Sequence, residues 1–569
     1  MTDTALDSFD AVIMGGGLAG LTLAIQLKQR FGDLKVLVLE RRTHPVPLAA
    51  HKVGESSVEI GAHYFDTVLG LKAHMDEAQL RKFGFRFFFS EGRSDIDNVT
   101  EIGASRYLAV PSYQIDRGIF ENFLAEEAAR HGVRFIDSAL VRRIDLAQNP
   151  AAPHRVEWTR GEESHATQAR WLIDACGRAG MLKRKLGLAE PNAHHVNAVW
   201  FRIGERIAVD DWSDNLEWRE RCNPQARWLS TNHFVGAGYW AWLIPLASGS
   251  HSVGIVADPK LHPLDTIDTF DKAMQWFATY QPRLYDALDG KRHLLQDFAF
   301  LKHFSHGCKQ VFSGERWAMT GEAGLFLDPF YSPGSDFIAI ANTYITDLVA
   351  QDRAGRPLEA RAQLYDQLYH SFYESTLALY QDQYPLFGDP EVLPVKVIWD
   401  YAYYWGVLSQ IFFQQRLTDL MLLGSLKDEL QHCQRLNLAV QQLLRSWSAA
   451  SARRNAPVML DQAAMPWFAE LNRSLKDPRL GDAAFRARIR ASAAQLRQLA
   501  GEILARARAD NADLGGCALP SLLEENIAGL PASGQAGAML FAALPEDSRK
   551  PRLPNFTERS SPVAPRARP

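Results

Sequence analysis

The sequence predicts an α/β fold in which a doubly wound, Rossmann-type domain carries an inserted β-sheet domain and is followed by a helical C-terminal region. Three observations predict it. A short apolar run, a glycine-rich turn, a helical pattern and a second apolar run follow one another within residues 9–40. Mixed strand and turn patterns continue to about residue 260. Beyond residue 355 the pattern changes to long helical stretches such as "EARAQLYDQLYHSFYESTLALY".

The first of these units has the pattern of a dinucleotide site. Residues 9–14, "FDAVIM", are typical of a buried parallel strand, and Gly15, Gly17 and Gly20 then form G-x-G-x-x-G ahead of a helical pattern. Gly15 allows a tight turn, Gly17 lets the backbone approach a pyrophosphate, and Gly20 lets the helix pack on the strand. Glu40 ends the second strand, "LKVLVLE", where a carboxylate accepts hydrogen bonds from a ribose.

Charge, hydropathy and cysteine spacing narrow the expected partners and location of the protein. The chain has 569 residues, of which 47% are hydrophobic and 22% charged, and its formal net charge is −4. This charge gives no reason to expect nucleic acid or an anionic membrane as partner. The N-terminus is acidic and polar, and no long uncharged apolar run follows, so no signal peptide or membrane span is predicted. The five cysteines are scattered without a CxxC pair, which favours a cytoplasmic protein with reduced thiols and no metal site.

These patterns divide the chain into three predicted parts. Residues 1–355 form the nucleotide-binding domain, with substrate-binding β-sheet segments interleaved at about 55–120 and 180–300. Residues 356–540 form the helical C-terminal region, and residues 541–569, rich in Pro, Ser and Arg, form a disordered tail.

Three further stretches resemble the FAD-binding segments of flavoprotein monooxygenases. "WLIDACGRAG" and "RWAMTGEAGLFLDPF" each end a strand with an acid and a glycine, which suits contact with a cofactor that crosses the carboxyl edge of the sheet. "YQIDRGIFENFLAEEAARHGV" resembles the Asp-Arg segment of that group and the helix after it. The resemblance implies FAD as the cofactor, with Glu322 standing where the group normally has Asp, and it matches Asp174, Gly321, Glu322, Gln114, Asp116 and Arg117.

A tryptophan pair narrows the resemblance. In "WAWLIP", residues 240–245, the period of a strand places Trp240 and Trp242 on one face, where two indoles wall off a flavin or are simply core residues. Together with "KVGES", residues 52–56, this hexapeptide resembles the flavin-dependent halogenases, with motifs in matching order over residues 8–345. The resemblance implies that the FAD site also includes Arg41, Gly54, Glu55 and Ser56.

In that family, reduced FAD and oxygen form a C4a-hydroperoxide, halide attacks this hydroperoxide to give hypohalous acid, and a lysine in a separate chamber directs the halogen. The branch that acts on tryptophan has this lysine nine positions after the Glu that matches Glu55, where this chain has Tyr64. The branch that acts on phenols and pyrroles has Lys-Phe-Gly, which "RKFGFRFFF" matches with Lys82 as the implied catalytic residue. Tyr331 likewise stands where the tryptophan-acting branch has a glutamate. A phenol- or pyrrole-like substrate, free or tethered to a carrier protein, and a separate flavin reductase are implied.

The stretch "DPFYSPGSDF", residues 328–337, matches the family's loop at the flavin ring. We expect a helix with Ser335 or Asp336 as N-cap, whose positive end faces the reduced flavin. The family holds halide on backbone N–H groups at the pair that matches Pro333 and Gly334, and proline has no N–H. Ser332, Gly334 and Ser335 remain as donors.

A second departure from the family concerns a carboxylate. Glu59 stands where the family usually has proline, and a carboxylate near the flavin face would repel halide.

Two alternatives to a halogenase stay open at this point. Pro333 and Glu59 favour a flavin-dependent monooxygenase that passes oxygen to its substrate without halide, whereas the tryptophan pair argues against it. A third interpretation is a maturation flavoprotein whose helical residues 380–540 bind a protein client. The aromatic stretch at residues 399–417 would then be a partner surface, although a packed helical core explains it equally simply.

Overall fold

The computed structural model describes residues 7–49, 53–149 and 152–511, together with residues 514 and 523. The predicted tail at residues 541–569 lies outside the described residues. The strands of the described part, in chain order, are β1 (Asp7–Met14), β2 (Val36–Leu39), β3 (Leu80–Arg81), β4 (Phe85–Phe88), β5 (Glu101–Gly103), β6 (Tyr113–Gln114), β7 (Arg134–Ile136), β8 (Ala139–Asp145), β9 (His154–Arg160), β10 (Glu163–Asp174), β11 (Ala189–Glu190), β12 (Asn197–Ile203), β13 (Thr231–Gly236), β14 (Tyr239–Pro245), β15 (His251–Ala257), β16 (Leu295–Leu301), β17 (Gly307–Cys308), β18 (Trp317–Met319) and β19 (Met459–Asp461).

The α-helices of the described part are, in the same order, α1 (Leu18–Arg30), α2 (Glu59–His63), α3 (Lys72–Ala78), α4 (Arg117–Arg130), α5 (Met181–Lys185), α6 (Leu216–Glu220), α7 (Phe270–Tyr280), α8 (Pro282–Asp289), α9 (Gly334–Arg353), α10 (Glu359–Leu377), α11 (Val392–Tyr403), α12 (Gln410–Phe413), α13 (Leu420–Gly424), α14 (Lys427–Ala450), α15 (Pro466–Arg473) and α16 (Asp482–Asp510).

The first sheet is the predicted Rossmann-type sheet. Its order is β7-β2-β1-β10-β9-β8, and β18 also pairs with β10. The strands β1, β2, β7, β10 and β18 pair in parallel, and β8 and β9 extend the sheet as antiparallel strands. All residues of β2 and the second half of β1 are buried, which is why they read as continuous apolar runs. The α/β fold class predicted from the sequence is therefore confirmed.

The second sheet has the order β16-β12-β15-β14-β13-β4-β5-β19. It separates two apolar cores, and β14 contributes alternate side chains to each. Trp240 and Trp242 belong to the core shared with the first sheet, whereas Ala241 and Leu243 belong to the core beneath α7 and α8. The prediction that both indoles share one face is confirmed.

The helical C-terminal region is joined closely to this second sheet. Its strand β19 pairs in parallel with β5, so residues far apart in the chain complete one sheet. The helices α11, α14 and α16 pack against one another, and Trp399 and Trp405 within the aromatic stretch are buried in the main core. Residues 404–409 form a π-helix, which displaces the side chains from a regular helical stripe. Packing in the core thus explains most of the aromatic stretch.

The start of α9 differs from the sequence prediction. The helix begins at Gly334 with Pro333 as its N-cap residue, so the expected N-cap at Ser335 or Asp336 is wrong. Pro333 has φ −74 and ψ −8, which is already the helical conformation, and proline needs no acceptor for a missing N–H.

The four cysteines in the described part are free thiols. None of the described helices combines the length and apolar character needed to cross a bilayer.

Candidate active site

A cavity of about 910 Å³ lies between the carboxyl edge of the first sheet and the second sheet. A volume of this size is typical of a cofactor site. It brings together most of the residues that the sequence predicted for FAD, and these are Gly15, Gly17, Glu40, Arg41, Gly54, Glu55, Ser56, Arg117, Gly321 and Glu322. The tryptophan pair and the loop Ser332, Pro333, Gly334 and Ser335 also line it. We call it the flavin cavity, because the glycine-rich turn before α1 forms one end of it.

The glycine-rich turn has room for a diphosphate at one position. A Cβ on Gly15, whose φ is +111, would lie 2.3 Å from the Ala175 carbonyl oxygen, and a Cβ on Gly20 would lie 2.0 Å from the Gly15 carbonyl oxygen. Gly17 precedes α1, and a Cβ there would meet no atom within 4 Å. Gly20 therefore packs helix on strand, as predicted, while the open space at Gly17 lies at the N-terminus of α1, where backbone N–H groups favour phosphate.

Glu40 is held at the edge of the flavin cavity by backbone donors. Its Oε2 accepts a hydrogen bond from the Gly16 N–H at 2.6 Å, and its Oε1 accepts from the Arg42 N–H at 2.8 Å. A carboxylate has about four lone-pair positions, so two remain for ribose hydroxyls.

Three residues that the resemblance matched to the FAD segments do not line the flavin cavity, and these are Asp174, Gln114 and Asp116. Asp174 accepts hydrogen bonds from the backbone N–H groups of Cys176 and Leu182, at 3.0 and 2.7 Å, and does not line the flavin cavity. Gln114 is fully buried and hydrogen-bonds Thr231. Sequence reasoning identified the correct strand ends but could not tell a side chain that faces a ligand from one that holds the adjacent turn.

A buried ion pair that the sequence did not reveal fixes Glu55. Its Oε1 accepts from Arg202 Nε at 3.0 Å and from Arg202 Nη2 at 2.6 Å. Burial raises the pKa of Glu55, and the Arg202 guanidinium opposes that rise. Arg202 lies on β12, so this ion pair links the segment around Glu55 to the second sheet. Arg117 donates to the carbonyl oxygen of Val53 at 2.9 Å in the same segment.

The tryptophan pair is held by hydrogen bonds as well as by packing. Trp240 donates from Nε1 to the Tyr384 hydroxyl at 3.0 Å, and that hydroxyl donates to Asp328 Oδ2 at 2.5 Å. His194 Nε2 lies 2.7 Å from the same oxygen. Trp242 donates to Ser252 Oγ at 3.0 Å, and the centroids of the two indole ring systems are 5.5 Å apart. Asp328, His194 and Tyr384 were not predicted from the sequence because their partners come from distant elements.

The loop before α9 offers donors without Pro333. Gly334 and Ser335 are the first two residues of the helix, so their N–H groups have no acceptor within it. Ser335 is 8% exposed, and its Oγ has no hydrogen-bond partner in the described part of the chain. An unpaired buried hydroxyl at the positive end of a 20-residue helix suits an anion.

Lys82 lines a second, separate cavity of about 20 Å³, which we call the lysine cavity. The residue is 3% exposed, and its Nζ donates to Ser56 Oγ at 3.0 Å and to the Ser57 carbonyl oxygen at 3.1 Å. Nζ also lies 3.3 Å from the centroid of the Phe85 ring. Burial lowers the pKa of Lys82 well below its usual value, and the Glu59 and Asp336 carboxyl groups oppose this change. Ser56 lines the flavin cavity, so it stands between the two cavities.

Two buried carboxyl groups accompany Lys82. Glu59 lines the lysine cavity and is absent from the lining of the flavin cavity, so it does not stand where the sequence analysis expected it to repel halide. Burial raises the pKa of Glu59. Asp336 accepts from the Tyr404 hydroxyl at 2.7 Å and from the Gly61 N–H at 2.8 Å. Burial raises the pKa of Asp336 to about 8.

Comparison with known proteins decides the family. Residues 101–385, just over half of the chain, match the sequence profile described as tryptophan halogenase. The chain belongs to the tryptophan halogenase family. Residues 13–77 also match the profile of an NAD(P)-binding Rossmann-like domain, which agrees with the β1-α1-β2 unit.

Individual members of the family are distant relatives. A flavin-dependent halogenase, chlA, of Dictyostelium discoideum is 25% identical over 72% of this chain and 71% of its own. A chlorinase of 1H-pyrrole-2-carbonyl peptidyl-carrier protein from Pseudomonas fluorescens is 25% identical over 57% of this chain and 72% of its own. The crystal structure of halogenase PltM is 19% identical, with a TM-score of 0.60, and covers 93% of this chain and 98% of its own.

Family membership confirms four predictions made from the sequence. The resemblance to flavin-dependent halogenases is confirmed, and with it the class of enzyme, an FAD-dependent oxidoreductase of halogenase type. FAD is its cofactor, and the residues around the flavin cavity fit that cofactor. The halogenase is supported over the monooxygenase alternative.

Proposed function

We propose that this protein halogenates an electron-rich aromatic ring and that Lys82 is its catalytic residue. The observation that carries the proposal is the position of the Lys82 ammonium, which is buried and hydrogen-bonded to a serine of the flavin-cavity wall. Lysine is almost never fully buried unless its Nζ is paired, and here the partners of Nζ are Ser56 and the Ser57 carbonyl oxygen. Bound FAD, reduced by a separate flavin reductase, would supply hypohalous acid from oxygen and halide. Lys82 would hydrogen-bond that acid in the lysine cavity.

The flavin cavity supports a defined orientation of FAD. The diphosphate would lie at the turn of Gly15 and Gly17, the ribose at Glu40, and the flavin ring beside the loop at Ser332 and Ser335. Trp240 and Trp242 would keep bulky substrates away from the ring, because both indoles line the cavity and are held by hydrogen bonds.

Halide would bind at the start of α9 despite the missing N–H of Pro333. The Gly334 and Ser335 N–H groups have no acceptor within α9 and would be its donors, and the unpaired Ser335 hydroxyl would add a third. The monooxygenase alternative loses one of its two arguments, since Glu59, the carboxylate that was expected to repel halide, lines the other cavity.

A phenol- or pyrrole-like substrate, free or bound to a carrier protein, remains part of this proposal. The relatives include enzymes named for pyrrole substrates on a carrier protein, and Tyr64 and Tyr331 depart from the tryptophan-acting pattern. The domain division at residues 1–355, with the second sheet holding the substrate, also stays a proposal, as does a cytoplasmic location.

The test is a mass-spectrometric assay with reduced FAD, oxygen and bromide on a panel of phenols and pyrroles. Monochlorodimedone traps free hypohalous acid in parallel. Lys82→Met should abolish the aromatic product while the trap is still halogenated. Lys72→Met is the matched control, since the Lys72 side chain is 63% exposed. Oxygenated product without any halogenated product or trap in the wild-type protein would overturn the proposal in favour of a monooxygenase.

A further inference from the structure

Trp240 belongs to a closed group of four aromatic rings that come from three parts of the chain. Its ring centroid lies 5.4 Å from that of Phe330 in the loop before α9, and Phe330 stacks on Phe387 at 4.4 Å. Phe387 lies 4.7 Å from Tyr384, and the Tyr384 hydroxyl accepts the Trp240 indole N–H at 3.0 Å. All four side chains are buried. Strand β14, the loop before α9 and the helical C-terminal region therefore meet at this indole.

The segment that carries Tyr384 is held against the hairpin of β13 and β14. The Gly238 N–H, in the turn of that hairpin, donates to the Tyr384 carbonyl oxygen at 3.0 Å. A Cβ on Gly388 would lie 2.6 Å from the Ala237 nitrogen, so this close approach requires glycine. Because β14 also carries Trp240, the tyrosine and the indole are fixed to the same part of the second sheet.

The hydrogen bonds of Tyr384 can run in only one direction. An indole N–H only donates, so the Tyr384 oxygen accepts from Trp240, and its own O–H donates to Asp328 Oδ2 at 2.5 Å. Asp328 Oδ1 accepts from the Phe330 N–H at 2.9 Å, which fixes the backbone of the loop. One hydroxyl therefore joins the indole to the carboxylate that shapes the loop before α9.

We propose that Tyr384 is a positioning residue that fixes the Trp240 indole against the loop before α9. This inference rests on the proposed function, in which Trp240 keeps bulky substrates away from the flavin ring. Tyr384 does not line the flavin cavity, so it acts through Trp240 and Asp328, which do. Without the hydroxyl, the indole N–H would be buried without this acceptor, which costs free energy and favours other orientations of the ring. Through this residue the helical C-terminal region takes part in shaping the cavity wall.

The first measurement needs no cofactor and follows the indole N–H of Trp240. In protein with isotopically labelled tryptophan, the NMR signal of this N–H is the one that is missing from Trp240→Phe. Tyr384→Phe keeps the ring that packs on Phe387 and removes only the hydroxyl. Loss of the acceptor should move the signal upfield and speed its exchange with solvent by about 2- to 10-fold, the effect of one hydrogen bond. An unchanged signal would overturn the inference.

The second measurement asks whether the hydroxyl acts through the indole. The protein with reduced FAD, oxygen and bromide is given the panel of phenols and pyrroles, and the oxygenated fraction of the aromatic product is measured. Tyr384→Phe should raise this fraction by about 2- to 10-fold, and Trp240→Phe should raise it at least as much. Changes that act on one contact are not additive, so Tyr384→Phe should add no further rise to Trp240→Phe.

Tyr365→Phe is the matched control. The buried Tyr365 hydroxyl also donates to an aspartate, Asp347, at 2.5 Å, and the residue does not line the flavin cavity. This variant should alter neither measurement.

The contrary outcomes separate this inference from the proposed function. A full further rise in the double variant would show that Tyr384 acts independently of Trp240, and it would overturn the inference, as would an unchanged oxygenated fraction in Tyr384→Phe. A wild-type protein that halogenates neither the panel nor monochlorodimedone would instead overturn the proposed function. The N–H signal would still decide the contact between Tyr384 and Trp240.

Discussion

Lys82 Nζ lies 3.0 Å from Ser56 Oγ, and this hydrogen bond joins the two cavities of the protein. Ser56 lines the flavin cavity, whereas Lys82 lines the lysine cavity. The Ser56 hydroxyl is also 2.9 Å from Thr231 Oγ1 on β13, which fixes its position in the wall. Only the Ser56 side chain would therefore separate an oxidant formed in the flavin cavity from the Lys82 amine.

Replacing Ser56 with Ala removes that hydrogen bond and should lower aromatic halogenation. A hydrogen bond of this kind contributes about 0.5–1.5 kcal/mol, so we expect a loss of roughly 2- to 10-fold in kcat/KM. FAD affinity should change little, because the serine contributes only a small part of the cavity wall. Ser57→Ala is the control, since Lys82 bonds the Ser57 carbonyl oxygen and not its hydroxyl. Equal losses in both variants would show that the serine hydroxyl has no specific part.

Replacing Pro333 with Ala restores a backbone N–H at the proposed halide site. Pro333 has helical φ and ψ, which alanine adopts without strain. A hydrogen bond to an anion contributes about 1.5–3 kcal/mol, so the KM for bromide should fall by roughly 10- to 100-fold. Steady-state bromination at varied bromide measures it. An unchanged KM would show that this N–H does not reach the halide.

Replacing Ser335 with Ala should have the opposite effect at the same site. The buried Ser335 hydroxyl has no partner in the described part of the protein, and halide would accept its hydrogen bond. We expect the KM for bromide to rise by about 10-fold while FAD affinity is kept. Ser332→Ala, in the same loop, tests whether any loop hydroxyl serves equally well.

Asp336 should make the stability of the fold depend on pH. Burial raises its pKa to about 8 in the folded state, from an ordinary value near 4 in the unfolded chain. The folded protein therefore binds more protons between these values, so the contribution of Asp336 to stability is present below about pH 4 and is lost as pH rises through 8.

Thermal unfolding at several pH values tests this direction. Between pH 5 and 9, the Tm of the wild type should fall relative to that of Asp336→Asn, because asparagine cannot ionise. Tyr404 and Gly61 donate to different oxygens of Asp336, so Asn keeps one of these two hydrogen bonds through its carbonyl oxygen, and the loss of the other lowers its Tm by an amount that does not change with pH. Parallel Tm profiles for the two proteins would contradict the raised pKa.

Replacing Gly15 with Ala should remove FAD and weaken the fold. Its Cβ would lie 2.3 Å from the Ala175 carbonyl oxygen, and φ +111 is unfavourable for alanine. We expect a loss of about 1–3 kcal/mol from backbone strain alone. Gly32→Ala is the control, because a Cβ there meets nothing within 4 Å. Retained FAD, measured by absorbance after gel filtration, would contradict the role of this turn.

Local patterns in the sequence were sufficient for much of the fold and the flavin cavity. The run "FDAVIM", the glycine motif and the position of Glu40 predicted the β1-α1-β2 unit because strand burial and tight turns are set by nearby residues. The two-residue period of β14 predicted that Trp240 and Trp242 share a face. Predictions of this kind depend on backbone geometry over fewer than about ten residues, so they hold without knowledge of distant contacts.

Other features depend on which distant segments meet. Sequence reasoning selected Lys82, Glu59 and Asp174 by type and position but could not say which cavity or backbone group each would face. It missed Gln462 and Tyr384 altogether, because both come from the helical region and reach their sites only when that region packs on the second sheet. No local signal marks such residues.

The sequence by itself determined the family, and it predicted the cofactor residues and the lysine, because each depends on a short motif whose backbone geometry is local. Only the tertiary structure decided that Glu59 accompanies Lys82 away from the flavin cavity, and that Gln462 closes the same small space. The physical reason is that a buried polar group gains its role from the partners it has or lacks, and those partners are brought together by packing between segments hundreds of residues apart.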